Sequence, residues 1–283
     1  MEKKEKKGKL YIVSTHIGNK EDITIRAIEV LKLCDLVICE ELKVGSKILR
    51  DLRIDNRLET MNEQNETEKV FEFIKMINEG KKLALISDCG TPVFADPGAE
   101  LVKNALVSNI DVVVVPGASS LMTALVRSGF SLDQFLYAGF PPRTMEERIK
   151  FLQELAKEQR TIALYDTPYR LLPVLEDACK VMPHRRVYVG INLTMPFETH
   201  HYGTFQEIYE KFKDERIKAE FVIVIEGATP ADSMRKPESI KYSEKRSSRS
   251  DGYGERPRNS RFTRNRSKYG EQGRDRKDRR KRR

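Results

Sequence analysis

The sequence predicts an α/β protein, and three observations lead to that class. Short apolar runs typical of strands alternate with helical patterns along the first half of the chain. One run, Val112–Val115, is four valines in a row, which is typical of a parallel strand covered on both faces. Another, Leu83–Ile86, leads directly into the long loop Ser87–Gly98, which holds two glycines and two prolines. Because open α/β sheets bind ligands in such loops, we expect a ligand site here.

The first half of the chain is expected to alternate strand and helix. Asp22 should cap the first helix and Gly80 should follow the end of the third, whose apolar face would hold Val70, Phe71, Ile74 and Ile77. In chain order the expected segments are strand Lys9–Val13, helix Ile23–Leu33, strand Leu36–Cys39, helix Val44–Leu52, helix Glu68–Asn78, strand Leu83–Ile86, helix Glu100–Ser108, strand Val112–Val115 and a helix that Pro116–Ser120 opens and that runs through Val126.

The second half has a different rhythm. Its strands are farther apart and some carry alternating polar residues, so antiparallel pairing is expected. The expected segments are strand Leu136–Phe140, helix Met145–Lys157, strand Thr161–Tyr165, helix Leu171–Val181, strand Arg186–Ile191, strand His200–Gly203, helix Thr204–Phe212 and strand Phe221–Glu226. We therefore expect an N-terminal α/β domain over residues 9–117 and an α+β domain over 118–228, after a charged extension at 1–8.

The excess of positive charge lies entirely in the last fifth of the chain. Residues 229–283 hold 20 Lys and Arg against 8 Asp and Glu, whereas residues 1–228 hold 32 against 35. Apolar residues are so few after Thr229 that a disordered tail is expected. Arginines such as Arg261, Arg264 and Arg266 stand among tyrosines and a phenylalanine, which favours RNA binding without sequence specificity. A solubilising tail, or one that binds any polyanion, is the alternative.

Composition also limits the compartment and the cofactors. No run approaches the ~20 apolar residues of a membrane span, and the charged N-terminus lacks the apolar core of a signal peptide. The four cysteines, Cys34, Cys39, Cys89 and Cys179, show no metal-ligand spacing and are expected to be free thiols. We expect a cytoplasmic protein without a metal site.

Five loop motifs follow one another in an order that resembles a known family. They are Val13–Asn19 with Asp22–Ala27, Ser87–Gly98, Pro116–Ser120, Tyr137–Pro142 and Tyr165–Leu171, and Val224–Gly227 closes the series. Over roughly residues 9–228 this set resembles the tetrapyrrole methylase superfamily. Within it, the set is most similar to the ribosomal RNA small-subunit methyltransferase I group.

The resemblance implies two α/β domains with S-adenosylmethionine in the cleft between them, usually within a homodimer. It also implies methylation of the 2′-hydroxyl of a cytidine in small-subunit ribosomal RNA, so the partner would be that RNA or the ribosomal subunit. The cofactor contacts that it implies are Gly18, Asp88, Gly90, Thr91, Pro92, Phe94, Ser119, Ser120 and Leu164.

The chemistry of these residues is compatible with the cofactor but leaves alternatives open. Ser119 and Ser120 stand near a helix start, where they could bind a carboxylate or equally well cap the helix. Asp88 and Asp96 could accept hydrogen bonds within their own loop. Asp88 is the better candidate ligand because it lies closer to the end of the strand.

Methyl transfer to a ribose hydroxyl requires alignment of oxygen, methyl and sulfur and removal of a weakly acidic proton. The candidate catalytic residues near strand ends are Glu40, Lys43 and Glu198, with His16 and Glu41 as further possibilities. Glu40 is the first to test, although a solvated acid in a turn explains it equally well. Arg170 is a candidate RNA contact.

The sequence departs from the family pattern in regions that we expect to face the RNA. Proline is usual in the family where His16 stands, the family's acidic-Asp-Thr-Arg block is Glu40–Lys43 here, and a histidine-containing block is reduced to Asn62–Glu66. The family's Arg-Glu-Leu-Thr-Lys block is Ile191–Met195, in which three charged positions are neutral. A lost arginine clamp is not replaced by isoleucine.

Two functions therefore remain open from the sequence. The first is a ribosomal RNA 2′-O-methyltransferase whose basic tail supplies affinity for phosphate. The second is a divergent paralogue that binds RNA or the ribosome without this reaction, or that methylates another substrate. Methylation of a tetrapyrrole is disfavoured because a polycationic tail has no use there.

Overall fold

The computed structural model describes residues 8–229 of the chain. The tail, with the candidate RNA contacts Arg261, Arg264 and Arg266, and most of the charged N-terminal extension lie outside these residues. The described residues belong to one compact unit. Within residues 8–229 no helix is both long and apolar enough to cross a membrane.

The first sheet has five parallel strands in the order β3-β2-β4-β1-β5. Its strands are β1 (Lys9–Val13), β2 (Leu36–Cys39), β3 (Leu58–Thr60), β4 (Lys82–Ile86) and β5 (Asp111–Val115). The helices between them are α1 (Ile25–Leu33), α2 (Leu42–Asp51), α3 (Glu66–Asn78) and α4 (Ala99–Val107). Apolar residues of α1 and α2 cover one face of the sheet, and those of α3 and α4 cover the other.

The second sheet has five strands in the order β6-β7-β10-β8-β9. Its elements are α5 (Ser120–Ser128), β6 (Phe135–Gly139), α6 (Met145–Leu155), β7 (Thr161–Tyr165), α7 (Leu171–Val181), β8 (Arg186–Ile191), β9 (Thr199–Thr204), α8 (Phe205–Phe212) and β10 (Phe221–Ile225). The pairs β7–β10, β10–β8 and β8–β9 are antiparallel, as expected, while β6 and β7 are parallel.

The two faces of the second sheet have different neighbours. Helices α6, α7 and α8 cover one face. Helix α5 packs on the other face together with Ile17, which comes from the loop after β1. This second core connects the first sheet to the second and places the end of β1 beside β8 and β10.

Most expected segments are confirmed to within two or three residues, and four details are wrong. The cap of α1 is Thr24, whose hydroxyl accepts the amide of Ala27, because Asp22 already lies in a preceding turn. Phe73 replaces Phe71 on the buried face of α3, where Phe71 is 70% exposed.

The other two errors concern the first sheet. Strand β5 is parallel, as expected, but it lies at the edge of the sheet, so Val114 is 56% exposed rather than covered on both faces. Strand β3 was not expected, because its three residues are too short a run to show a period.

Candidate functional site

Loops from four neighbouring strands meet at the carboxyl edge of the first sheet. They follow β1, β2, β4 and β5, and because these strands are parallel their ends lie side by side. The loop after β5 also leads into α5, which packs on the second sheet. The expected ligand loop Ser87–Gly98, which follows the central strand β4, therefore faces the junction of the two sheets.

The loop Ser87–Gly98 is tied to the loop after β1 by a small hydrogen-bond network. The Thr15 amide donates to the Gly90 carbonyl at 2.8 Å, and the Gly90 amide donates to the His16 carbonyl at 3.2 Å. The Thr15 hydroxyl donates to the Ser87 carbonyl at 3.1 Å, and the Ser14 and Thr91 hydroxyls lie 2.9 Å apart. These bonds hold the first part of the loop, Ser87–Thr91, against the loop after β1.

Backbone conformation explains why glycine occupies two places in this loop. Gly90 has φ +86° and Gly98 has φ +127°, values that side chains other than glycine rarely adopt. Pro92 is buried between them. The loop shape thus depends on the glycine and proline positions that the sequence made conspicuous.

Three carboxylates gather around the edge of the sheet. Burial raises the pKa of Glu40, Asp88 and Asp96, and the negative charges of the two aspartates add to the shift at Glu40. Asp88 accepts the Glu41 amide at 3.4 Å, and Asp96 is hydrogen-bonded to Ser87. No Lys or Arg pairs with these three carboxylates within residues 8–229. Their surroundings favour a positively charged ligand.

Aromatic rings line the side of the site that belongs to the second sheet. Phe94, from the ligand loop, lies 4.6 Å from Tyr137 and 6.2 Å from Tyr165, measured between ring centroids. Phe140 lies 6.1 Å from Tyr165, and the Tyr165 hydroxyl is 2.7 Å from that of Ser120. The loop of the first sheet therefore reaches an aromatic wall built by β6 and β7.

The other expected cofactor residues have varied surroundings. Ser119 caps α5, since its hydroxyl accepts the Met122 amide, and Ser120 bonds to Tyr165. The Leu164 side chain is buried on the helix-covered face of the second sheet, so only its backbone could reach a ligand. Gly18 lies against another part of the protein: a Cβ there would come within 2.7 Å of the Leu193 carbonyl oxygen.

The turn Ile191–Met195 is a packing element between the two sheets. The Asn19 amide donates to the Thr194 hydroxyl at 2.9 Å, and the Thr194 amide donates to Glu198 at 2.6 Å. Ile191 is only 6% exposed, in the core beneath the helices of the second sheet. The expectation that this whole block faces the RNA is therefore wrong for Ile191, because its side chain points into that core.

The structure separates the candidate catalytic residues. Glu40 lies beside Asp88 and Asp96 at the carboxyl edge, whereas Lys43 is exposed on α2. The Glu198 carboxylate holds its own turn and also lies 3.3 Å from the His200 ring. Arg170 pairs with Asp166 at 3.0 Å and donates to the carbonyls of two prolines in the β6–α6 loop.

Two residues that the sequence did not single out belong to the site. The Tyr137 ring packs against Phe94. Burial raises the pKa of the Cys89 thiol in the ligand loop, and Glu220 lies close enough for its charge to add to the shift. The motif Tyr137–Pro142 pointed to the first of them as part of a block. No local pattern marks Glu220, because only the pairing of β10 with its neighbours brings it here.

Comparison with protein families gives a match over nearly all of the described residues. The model for Tetrapyrrole (Corrin/Porphyrin) Methylases matches residues 9–224. A relative from Rickettsia prowazekii (strain Madrid E), named ribosomal RNA small subunit methyltransferase I, is 38% identical over 221 residues, which are 78% of this chain and 79% of the relative. A relative of the same name from Thermotoga maritima is 37% identical, over 78% of this chain and 99% of its own length.

Solved structures show the same fold at lower identity. A cobalt precorrin-4 methyltransferase of cobalamin biosynthesis superimposes with a TM-score of 0.61 at 20% identity, covering 77% of this chain and 94% of that one. The uroporphyrin-III C-methyltransferase of Thermus thermophilus gives a TM-score of 0.57 at 20% identity, with coverage of 77% and 94%. At this identity the likeness concerns the fold alone.

Proposed function

We propose a reaction for this chain, which belongs to the tetrapyrrole (corrin/porphyrin) methylase family: transfer of a methyl group from S-adenosylmethionine to the 2′-hydroxyl of a cytidine in small-subunit ribosomal RNA. The chain is an S-adenosylmethionine-dependent methyltransferase. The observation that carries the RNA substrate is the match to relatives named ribosomal RNA small subunit methyltransferase I over 78% of the chain. The cytidine and its 2′-oxygen are the finer part of the proposal.

The residues of the cleft fit S-adenosylmethionine by their chemistry. The cofactor carries a sulfonium, an ammonium, a carboxylate and an adenine. Asp88 and Asp96 are half-buried acids without a cationic partner in the described part of the chain, so they suit its positive groups. Phe94 and Tyr137 offer an aromatic surface for the adenine, and the start of α5 suits the carboxylate.

We assign the remaining expected contacts as part of the same proposal. When bound, S-adenosylmethionine supplies an electrophilic methyl group. The fixed loop containing Gly90, Thr91 and Pro92 would orient it, because its shape is set by hydrogen bonds to the loop after β1. Gly18 and Thr194 would hold the two sheets at the spacing that the cleft requires.

The alternative of a paralogue without this reaction is not favoured. That alternative was suggested by the neutral residues in the block Ile191–Met195. Because Ile191 is buried, isoleucine in place of the family's arginine is compatible with an intact cleft. The loop and aromatic residues of the cofactor side are all in place.

The reaction is tested by transfer of a tritiated methyl group to purified small ribosomal subunits and to their naked RNA. Subunits from cells that lack this gene are the substrate, and large subunits are the control. We expect incorporation into small-subunit RNA that maps to one ribose. Absence of incorporation by protein that binds S-adenosylmethionine would refute the RNA proposal.

We propose that the tail at 229–283 binds RNA, with Arg261, Arg264 and Arg266 among its phosphate contacts. Its excess of positive charge supports this, since residues 1–228 are mildly acidic. The Thermotoga relative matches over 99% of its length without a counterpart for the remaining fifth of this chain, so the tail should add affinity rather than chemistry. Deleting 229–283 should weaken RNA binding about tenfold or more at low salt and reduce its salt dependence.

We also propose that the chain forms a homodimer in the cytoplasm, where ribosomal subunits lie. An edge strand with exposed Val114, and exposed Met122 and Val126 on the following helix α5, support a second copy as the occupant of this face. Val126→Glu should give a monomer by light scattering, while Leu33→Glu, on the exposed side of α1, should leave the dimer intact.

We propose two domains, residues 9–117 and 118–228, because the strands form two separate sheets. Each sheet uses only strands from its own side of residue 117. Limited proteolysis that cuts first near residues 116–118 would support the boundary.

A further inference from the structure

Glu220 stands immediately before β10, the central strand of the second sheet. Side chains alternate along a strand, and Val222 and Val224 lie on the face that packs against Ile17 and α5. Phe221 and Ile223 lie on the opposite face, beneath the helices. Glu220 therefore continues the face that is directed toward the first sheet.

The neighbours of β10 place Glu220 at the open edge of the second sheet. Strand β10 is antiparallel to both β7 and β8, so its beginning lies next to their ends. The Asn192 amide donates to the Glu220 carbonyl at 2.8 Å, and the Ala219 amide donates to the Pro168 carbonyl at 3.4 Å. Glu220 thus stands between the loop after β7 and the turn after β8.

The side chain of Glu220 faces the ligand loop. The Cys89 thiol of that loop donates to the carbonyl of Ile17, which packs on the same face of the second sheet, at 3.4 Å. Burial raises the pKa of this thiol, and the charge of Glu220 adds to the shift. Glu220 is exposed to solvent, and partial burial raises its pKa. Within residues 8–229 its carboxylate forms no hydrogen bond or ion pair.

A surface suited to a nucleotide adjoins this carboxylate. The Tyr169 side chain is 64% exposed, and the Lys218 ammonium lies 4.9 Å from the centre of its ring. An exposed aromatic ring stacks on an RNA base, and a nearby ammonium attracts its phosphate. Lys218 is two residues before Glu220 in the chain, and the hydrogen bond from Ala219 to Pro168 places Tyr169 beside the same segment.

We propose that Glu220 is the catalytic residue that takes the proton of the acceptor hydroxyl, with Tyr169 and Lys218 holding the acceptor nucleotide beside it. The inference rests on the proposed RNA methylation. The O–H bond breaks and the proton passes to the Glu220 carboxylate, while the oxygen forms the bond to the methyl carbon. The electron pair of the breaking S–CH₃ bond returns to sulfur, so one positive and one negative charge are neutralised together.

The other carboxylates are less suited to this role. Glu198 is occupied by the Thr194 amide and His200. Glu40 lies beside Asp88 and Asp96, the acids proposed to face the positive groups of the cofactor, and it follows β2, which β4 separates from β1. Of these three carboxylates, only Glu220 lies at the start of β10, at the edge of the second sheet that faces the ligand loop.

The test compares Glu220→Gln with Glu215→Gln in the full chain. Glu215 is an exposed acid in the preceding turn and serves as the matched control. Under saturating small subunits and cofactor, Glu220→Gln should lower the rate of methyl transfer by about 10²–10⁴-fold, the range for a general base. The dissociation constant for S-adenosylmethionine should change by less than about threefold. Glu215→Gln should match the wild type.

A second readout does not depend on activity. Removing the charge of Glu220 should speed alkylation of Cys89 by iodoacetamide about twofold or more, followed at that cysteine by mass spectrometry, because more of the thiol becomes thiolate. Glu215→Gln should not change this rate. An unchanged Cys89 rate in Glu220→Gln would show that Glu220 does not face the ligand loop.

The outcomes separate this inference from the proposed function. Wild-type protein that methylates no small-subunit RNA would overturn the proposed function and this inference with it. Active wild type with an equally active Glu220→Gln would overturn this inference alone, and a large loss in Glu40→Gln in the same assay would then assign the proton to Glu40. Partial activity of Glu220→Asp, beside an inactive Glu220→Gln, would support a requirement for a carboxylate.

Discussion

The loop Ser87–Gly98 and the turn Ile191–Met195 both follow strand ends at the junction of the two sheets, yet they use their polar groups differently. The loop is fixed largely by bonds to its backbone carbonyl and amide groups, and its Phe94 ring lies against the aromatic residues of the second sheet. Asp96 is hydrogen-bonded within the loop but has no cationic partner in residues 8–229. In the turn, by contrast, the Thr194 hydroxyl accepts the Asn19 amide and the Glu198 carboxylate accepts the Thr194 amide, so both groups stabilise the turn itself. A departure from a family motif therefore weakens a binding site only where the altered side chain faces that site.

The strongest challenge to this contrast is to restore the family's arginine with Ile191→Arg. The new guanidinium would be buried without a partner, so the free energy of unfolding should fall by about 3–5 kcal/mol in urea denaturation. Ile191→Val, the control, should cost about 1 kcal/mol. A stable Ile191→Arg protein with faster methyl transfer would show that position 191 faces the RNA after all.

The contact between the turn and the loop after β1 is challenged by Gly18→Ala. The added Cβ would meet the Leu193 carbonyl oxygen at 2.7 Å, so backbone must move, at a cost of about 1–3 kcal/mol in unfolding free energy. Glu21→Ala, at an exposed position of the same loop, should be nearly neutral. Equal stability of the two variants would mean that Gly18 is not a packing requirement.

The variant Asp96→Asn tests whether the ligand loop binds the cofactor. Loss of the negative charge should weaken S-adenosylmethionine binding about tenfold in calorimetry, while Asp55→Asn, at an exposed site, should leave it unchanged. The same affinity in both variants would remove Asp96 from the cofactor site.

Asp96→Asn should also change the pH dependence of stability. Burial raises the pKa of Asp96 in the folded state, so its ionisation costs stability as pH rises through that pKa. The variant should therefore resist urea better than the wild type at pH near 7. The difference should vanish as pH falls below the unfolded-state value of about 3.9.

The smallest effect is expected from Thr194→Val. This change keeps the branched shape but removes the acceptor of the Asn19 amide, so the free energy of unfolding should fall by about 1 kcal/mol. Cofactor affinity should be unchanged, in contrast to Asp96→Asn. A loss of affinity without a loss of stability would place Thr194 in the binding site.

Much of the fold could be predicted because its signals are local. Runs such as Leu83–Ile86 and Phe221–Ile225 are wholly apolar, and the helical segments show a clear apolar period. Two choices, Thr24 against Asp22 and Phe73 against Phe71, depend on the phase of a helix and were missed. The exposure of Val114 could not be predicted, since whether a strand is central or at an edge depends on the order of distant strands.

The candidate site divides in the same way. The loop around Gly90 was recognisable because glycine and proline positions are dictated by its own backbone. Glu220 was missed because its position depends on β10 pairing with β7 and β8, which lie far away along the chain. Ile191 was misplaced because a motif does not say which face of a strand its first residue occupies.

The strand orders also determine when each sheet can form while the chain is being synthesised on the ribosome. The first sheet can close once β5 has emerged, because β1 then has both neighbours, β4 and β5. In the second sheet the central strand, β10, is the last of its five strands to be synthesised. Strands β7 and β8 therefore lack their shared partner until residue 225 has been made. A nascent chain stalled before β10 would thus carry a complete ligand loop beside an incomplete second sheet, and it would gain the full cleft only after β10 has emerged.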